Sequence, residues 1–164
     1  PLRGCARRAR ARAPARFDIA ELESLNAKML HQTIYDAMAA RLPQGMTEAA
    51  WTVIRPNLTR LAEAADWWRI VTGPVEASVA PEDADFLGAA ARIAADLDWA
   101  ADPWRAMTAA LKVETGCTGK ALFLPLRRAL TGREHGPDMA TLLPLIGREA
   151  AVERLSAKPL ARIP

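Results

Sequence analysis

The sequence has little cysteine and histidine, and it has no long apolar run. Its two cysteines, Cys5 and Cys117, are far apart and belong to no CxxC or His-Cys pair, so neither a zinc site nor a disulfide framework is expected. No apolar stretch approaches the roughly 20 residues that cross a bilayer, and no signal-type apolar segment follows the Arg-rich start. We therefore expect a cytoplasmic protein with no metal and no membrane partner.

Signatures of catalysis are also missing from the sequence. It contains no glycine-rich phosphate loop, and no nucleophile and base stand at a recognisable local spacing. Glu82, Asp83 and Asp85 resemble a metal cluster, but they follow Pro81 directly. We interpret them as the first turn of a helix, where acidic residues favour the positive end of the helix dipole. We expect no catalytic and no cofactor-binding residue in this chain.

Charge is distributed unevenly along the chain. Residues 1–16 carry six arginines and no acid, and residues 17–114 carry eight basic against fifteen acidic residues. In residues 115–164 the balance reverses to eight basic against four acidic. Because attraction to phosphates depends on local patches more than on the total charge, we predict any contact with a polyanion in the C-terminal third.

The sequence does have helical periodicity, and the starts of its predicted helices are clearly marked. Asp18 is placed to cap a helix, and Phe17 and Leu22 have the spacing of a hydrophobic staple. Apolar residues then recur at helical spacing until Pro43, and we interpret this stripe as core. The stripe consists of Ile19, Leu22, Leu25, Met29, Ile34, Met38 and Leu42.

Capping and breaking residues divide the following part of the chain into further helices. Their predicted limits are Thr47 to Ile54, about Leu58 to Gly73, Pro81 to Leu97, and Asp102 to Gly116. There is no sustained period-two alternation and no Asn-Gly or Asp-Gly hairpin signal, so we expect no sheet. With 51% apolar residues, an all-α chain of this length can form one domain or two small lobes.

Three tryptophans admit two interpretations. Trp51, Trp67 and Trp68 could stack on unpaired bases, which contributes about 1–3 kcal/mol per base in single-strand binders. They are flanked by Ala, Asp and Glu in the acidic part of the chain. We therefore interpret them as packing residues between helices.

The distal segment, from Thr115 to Leu155, begins with a turn that suits a phosphate. Thr118 and Gly119 can start a helix with Lys120 in its first turn, although the glycine pattern and strand of a nucleotide-binding loop are missing. Gly132 is placed to end this helix. The chain then restarts at Gly136-Pro137, where we expect Pro137 in the first position of another helix.

Two stretches resemble a known family. The run GKALFLPLRRALTG…GP…LLPLIGRE, within residues 119–149, resembles the anticodon-binding end of bacterial glutamyl-tRNA synthetases, and FDIAELESLNAKMLH, residues 17–31, resembles the start of the helical region before it. The similarity covers roughly Ala11 to Leu155. It implies an all-α helical bundle followed by a small helical cage of the class I synthetase anticodon-binding type.

Composition and the resemblance together predict a domain organisation. Residues 1–16 are rich in Arg, Ala and Pro without a hydrophobic period, so we expect an Arg-rich tail that is disordered alone. The resemblance implies a helical connecting subdomain in residues 17–114 and a distal anticodon-binding subdomain in residues 115–157, and residues 158–164 would be a second tail. Only the end of the first tail is similar to the family, and we expect the chain to be a piece of a longer gene product.

Four positions are implied to contact the anticodon. Arg127 occupies the arginine of the family's LRxALTG run, and a planar guanidinium can stack on a base and hydrogen-bond to its edge. Gly136, Pro137 and Met139 occupy the places of the following connection that contact splayed bases in the family.

Other basic residues are weaker candidates for phosphate contact. Lys120 and Arg128 are assigned on charge and position, and Arg148 and Arg154 on charge alone. For Arg128, a solvated face or a carboxylate partner is an equally open interpretation. In family members resembling this chain, basic residues stand where it has Cys117 and Thr118, which weakens a phosphate contact at that turn.

The resemblance implies a function that this chain performs only in part. A class I glutamate–tRNA ligase activates glutamate with ATP and Mg²⁺ and transfers it to tRNA, but its catalytic signatures are absent here. We expect the chain alone to be catalytically inactive and to bind glutamate tRNA, with glutamine tRNA left open and no DNA. An N-terminal catalytic domain would be its partner and would bind ATP and Mg²⁺. The alternatives are a free-standing helical RNA-binding or regulatory module, a purely structural helical protein, and a non-functional gene fragment.

Overall fold

The computed structural model describes residues 18–76 and 79–157, and in these ranges every regular element is helical. The α-helices are α1 (Ile19–Gln32), α2 (Tyr35–Met38), α3 (Glu48–Ile54), α4 (Glu63–Thr72), α5 (Ala84–Asp96), α6 (Pro103–Thr115), α7 (Lys120–Thr131), α8 (Met139–Ile146) and α9 (Arg148–Leu155). Single 3₁₀ turns lie at Ala39–Arg41, Arg55–Asn57 and Pro81–Asp83. The all-α prediction is confirmed, while the predicted tails and the Phe17 staple lie outside the described residues.

Several of the predicted capping residues begin or end helices in the structure. The side chains of Asp18, Thr47 and Asp102 each accept a hydrogen bond from a backbone N–H two or three residues later, which satisfies a donor that the first helical turn leaves open. Gly116 and Gly132 end α6 and α7 with φ of 69° and 68°, a left-handed conformation that glycine adopts without strain.

The first helix is shorter than its apolar stripe predicted. It ends at Gln32 because Thr33 and Ile34 adopt extended conformations. The carbonyl of Thr33, released from the helical ladder, accepts hydrogen bonds from Trp51 Nε1 at 2.9 Å and Arg55 Nη1 at 2.7 Å. These two side-chain donors satisfy a carbonyl that would otherwise lose its partner, and they fix the chain where α1 gives way to α2.

The interpretation of the apolar stripe as core is wrong for five of its seven residues. Ile19, Leu22, Leu25, Met29 and Ile34 are between 46% and 72% exposed, whereas Met38 and Leu42, which follow α1, are partly buried against the core. Instead, α1 packs by another face, on which Leu30 is buried and His31 Nε2 donates to the carbonyl of Leu58 at 2.9 Å. The turn Arg55–Asn57 is the main neighbour of α1, and one turn does not cover the whole width of a helix.

Three other element boundaries differ from the predictions. α4 begins at Glu63 rather than near Leu58, and the carboxylate of Glu63 accepts from the backbone N–H and hydroxyl of Thr59. Pro81 opens a 3₁₀ turn before α5 rather than α5 itself. Pro137 is not in the first position of α8. Asp138 has a non-helical ψ of 131°, so the helix begins at Met139.

The described helices share one continuous hydrophobic core. α9 packs on α5 and α7, while α8 packs on α3, α4 and α6, so helices after residue 115 contact helices before it. Trp51 and Trp67 are 0% and 5% exposed, which confirms their interpretation as packing residues. The division into subdomains at residue 115 stays a prediction.

Among the described residues, no helix combines the length and the apolarity needed to cross a membrane.

Candidate nucleic-acid interface

Residues 132–138 form the connection between α7 and α8. The connection begins at Gly132, which is tightly packed. Gly132 ends α7, and a Cβ atom added there would lie 3.2 Å from Val75 Cγ1 and 3.3 Å from the carbonyl oxygen of Glu76. The hydroxyl of Thr131 donates to the carbonyl of Arg127 at 2.7 Å and accepts from the backbone N–H of Arg133 at 3.1 Å. The connection therefore leaves α7 against the segment that follows α4.

Gly136 lies directly on an aromatic ring. A Cβ atom at this position would be 2.0 Å and 2.5 Å from two ring carbons of Trp67, and the φ of Gly136 is 149°. Only glycine allows both this conformation and so close an approach. Since Trp67 is a buried residue of α4, the connection is anchored on a helix far away in sequence.

Arg127 joins α7 to the connection. Its Nη2 donates to the carbonyl of Pro137 at 3.0 Å, whereas its buried Nη1 has no hydrogen-bond acceptor among the described residues. Burial lowers the pKa of Arg127, and the negative charge of Asp138 opposes this shift. The structure thus brings together three of the predicted anticodon-binding residues, Arg127, Gly136 and Pro137.

The two side chains predicted to make apolar contacts with bases, Pro137 and Met139, are buried. Met139 is 1% exposed and belongs to the core, and Pro137 is also buried. In this conformation neither side chain presents an apolar surface to a ligand, because α8 turns its first residue inward. Base contact by these two residues stays a prediction that requires the connection to move.

Arg128 has the carboxylate partner that the sequence left open. Its Nε lies 3.1 Å from Oε1 of Glu134, and its Nη2 donates to the same oxygen. The hydrogen bond with Arg128 lowers the pKa of Glu134, and the charges of His135 and Lys120 act in the same direction. Lys120 is the exposed first residue of α7, so its charge belongs to the same surface.

Arg148 and Arg154, the other two residues predicted to contact a phosphate, donate hydrogen bonds to backbone carbonyls in or at the end of other helices. Arg148 Nη2 donates to the carbonyl of Leu97 at the end of α5. Arg154 is only 6% exposed and donates to the carbonyls of Leu130 and Gly73, both at 2.8 Å. The prediction that Arg154 contacts a phosphate is wrong for this conformation. Its buried guanidinium instead connects α9 to the ends of α7 and α4, and burial lowers its pKa.

Sequence reasoning missed two members of this surface. Trp67 was assigned only to packing, although it lies beneath Gly136 and carries the Arg133 guanidinium carbon 5.2 Å from its ring centroid. Arg133 carries no signal in the sequence that sets it apart from the other residues of the connection. The glycine at position 136 was the available signal for a close approach, but it does not identify a ring on another helix.

Metal-ligating side chains do not gather at this surface or elsewhere in the described ranges: no three His, Cys, Asp or Glu residues are arranged to hold an ion. The charged groups present are guanidinium, ammonium and carboxylate groups. The guanidinium and ammonium groups suit hydrogen bonding and charge pairing with a polyanion.

Comparison with known sequences agrees with this chemistry. Residues 26–158 match a protein family described as "Anticodon binding domain". Proteins named "Glutamate--tRNA ligase 1" from Rhizorhabdus wittichii and Novosphingobium aromaticivorans are 62% identical over 146 residues and 60% identical over 147 residues. Each match covers 89% of this chain and 33% of the relative.

A protein with the same name from Zymomonas mobilis is 53% identical over 145 residues, which is 88% of this chain and 33% of the relative. The chain therefore spans about a third of the length of these relatives, and it corresponds to their C-terminal region. Because the family match extends over most of the described residues, the chain belongs to the anticodon-binding-domain family.

Proposed function

We propose that this chain binds the anticodon of a glutamate tRNA and thereby selects the tRNA for a glutamate–tRNA ligase. Membership of the anticodon-binding-domain family and the names of the relatives support the proposal. The charge distribution supports it as well, since residues 115–164 are basic whereas residues 17–114 are acidic. The proposal includes the selection of glutamate tRNA over other tRNAs. It leaves open whether glutamine tRNA is bound as well.

The arrangement of Arg127 is the observation that carries the proposal. One of its terminal nitrogens is held by the Pro137 carbonyl, and the other is buried without a protein acceptor among the described residues. A buried donor without a partner costs about 1–3 kcal/mol. A movement of the connection that let a base accept from this nitrogen would recover that free energy, and a base lacking the acceptor would not.

We assign catalysis to the part of the ligase that this chain does not include. That part would bind glutamate, ATP and Mg²⁺, and it would act in the cytoplasm as the partner of this chain. In this proposal no residue of this chain is assigned to ATP or Mg²⁺. The chain alone is proposed to bind tRNA and to aminoacylate nothing.

Fluorescence anisotropy with two anticodon stem-loops tests the proposal. One stem-loop carries the glutamate anticodon, and the other carries altered anticodon bases. We expect the chain to prefer the glutamate stem-loop, and we expect Arg127→Ala to reduce this preference by roughly tenfold because one directed donor is lost. Circular dichroism of each variant confirms that it remains folded, since Arg127 also holds Pro137.

Two matched changes serve as controls. Arg128→Ala removes the neighbouring charge that is paired with Glu134, and it should leave the preference between the two stem-loops intact. Deleting residues 1–16 removes six arginines and should weaken binding of both stem-loops alike. If the deletion abolishes binding while Arg127→Ala and the altered anticodon have no effect, the assignment of the site is wrong.

A further inference from the structure

Arg133 is the cation of the connection that an indole ring holds in place. The residue is exposed, and its guanidinium carbon lies over Trp67 at 5.2 Å from the ring centroid, within the range of a cation–π interaction. Such an interaction uses the face of the aromatic ring and none of the N–H donors of the guanidinium. Trp67 is 5% exposed, so the ring is a rigid support.

The two acidic residues of the connection, Glu134 and Asp138, form no ion pair with Arg133. Glu134 forms an ion pair with Arg128, and Asp138 acts electrostatically on Arg127. In residues 18–76 and 79–157 the Arg133 side chain makes neither a hydrogen bond nor an ion pair, and only its backbone takes part in hydrogen bonds.

A depression of about 470 Å³ beside Arg133 is not a phosphate pocket by itself. Its walls carry Arg69 and Arg133, but they also carry Asp66 and Glu76. Arg69 already pairs with Asp66 at 3.4 Å. Because these four charges sum to zero, the depression as a whole does not attract an anion. A phosphate contact at this place depends on the guanidinium of Arg133, which is exposed.

We propose that the guanidinium of Arg133, supported by Trp67, binds a phosphate of the RNA backbone beside the anticodon. The proposal rests on the proposed function, which supplies the RNA. A guanidinium offers paired N–H donors that match two phosphate oxygens, and a phosphate contact positions a nucleic acid without reading its sequence. Arg133 would thus place the anticodon loop over the connection, and Arg127 would read it.

Salt-dependent binding of the same two stem-loops tests this role. The affinity of the chain is measured by anisotropy at several KCl concentrations. For Arg133→Gln we expect the slope of log K against log[KCl] to decrease in magnitude by about 0.7–0.9, and the affinity to fall about fivefold near ~0.1 M salt. The loss should be the same for both stem-loops, so the preference for the glutamate anticodon is retained.

Two further variants make the result specific. Arg133→Lys keeps the charge and should keep most of the slope. Arg105→Gln removes an exposed arginine of α6 and should change neither the slope nor the affinity beyond about twofold. Thermal unfolding followed by circular dichroism establishes that each variant is folded at the temperature of the titration.

The outcomes separate this inference from the proposed function. If the unchanged chain shows no anticodon preference, the proposed function fails whatever Arg133 does. If the unchanged chain shows the preference and Arg133→Gln alters neither slope nor affinity, only the role of Arg133 is wrong. An Arg133→Gln variant that loses the preference but keeps the slope would also overturn the phosphate assignment.

Discussion

The first helix and the distal helices carry similar apolar patterns with opposite fates. In α1, Leu25 belongs to a helical stripe and is 50% exposed, whereas Leu142 in α8 is 0% exposed. The difference lies in the neighbours. α8 is surrounded by α3, α4, α6 and α9, while α1 has the single turn Arg55–Asn57 as its main neighbour. Periodicity shows which residues share a face, but only a second element can cover that face.

The largest effect that tests this comparison is expected at Leu142. Leu142→Ala should lower the free energy of unfolding by about 2–5 kcal/mol, because the lost side chain leaves a cavity among packed helices. Urea denaturation followed by circular dichroism measures the change. A loss below about 1 kcal/mol would mean that α8 is no better packed than the surface.

A smaller loss is expected where the distal segment crosses α4. Gly136→Ala places a methyl group against the Trp67 ring, and we expect it to reduce the free energy of unfolding by about 1–3 kcal/mol. Gly88→Ala is the matched control, since Gly88 lies within α5 with nothing within 4 Å of its added Cβ. That control should stabilise the protein by about 0.5–1 kcal/mol. Equal effects of the two changes in urea denaturation would contradict the close contact.

The smallest effect is expected in the first helix. Leu25→Ala is chemically the same change as Leu142→Ala, but we expect it to alter the free energy of unfolding by no more than about 0.5 kcal/mol because half of the side chain is already in water. The same urea titration measures it. A loss comparable to that of Leu142→Ala would show that the exposed stripe of α1 is covered in solution.

Local signals in the sequence predicted much of the fold. The capping roles of Asp18, Thr47 and Asp102 depend on a side chain and a backbone group a few residues away, so they are legible without tertiary contacts. The left-handed glycines Gly116 and Gly132 are legible for the same reason. The break after α1 could not be predicted from the local sequence, because the side chains that stabilise it, Trp51 and Arg55, lie far along the chain.

For the candidate site, the sequence by itself determined the segment and several of its residues. Gly132, Gly136 and Pro137 predicted a connection between two helices, and the resemblance to a known family implied Arg127. The structure places Arg127 on Pro137 as part of one surface. Whether these residues contact an anticodon stays a prediction.

Only the tertiary structure decided which charges are available on that surface. It buried Arg154 between carbonyls, paired Arg128 with Glu134, and placed Arg133 over Trp67. All three arginines look alike in sequence, since each lies in or beside an amphipathic helix. Their different environments arise from partners that folding brings together, and it is those partners that determine whether a guanidinium is left to bind a phosphate.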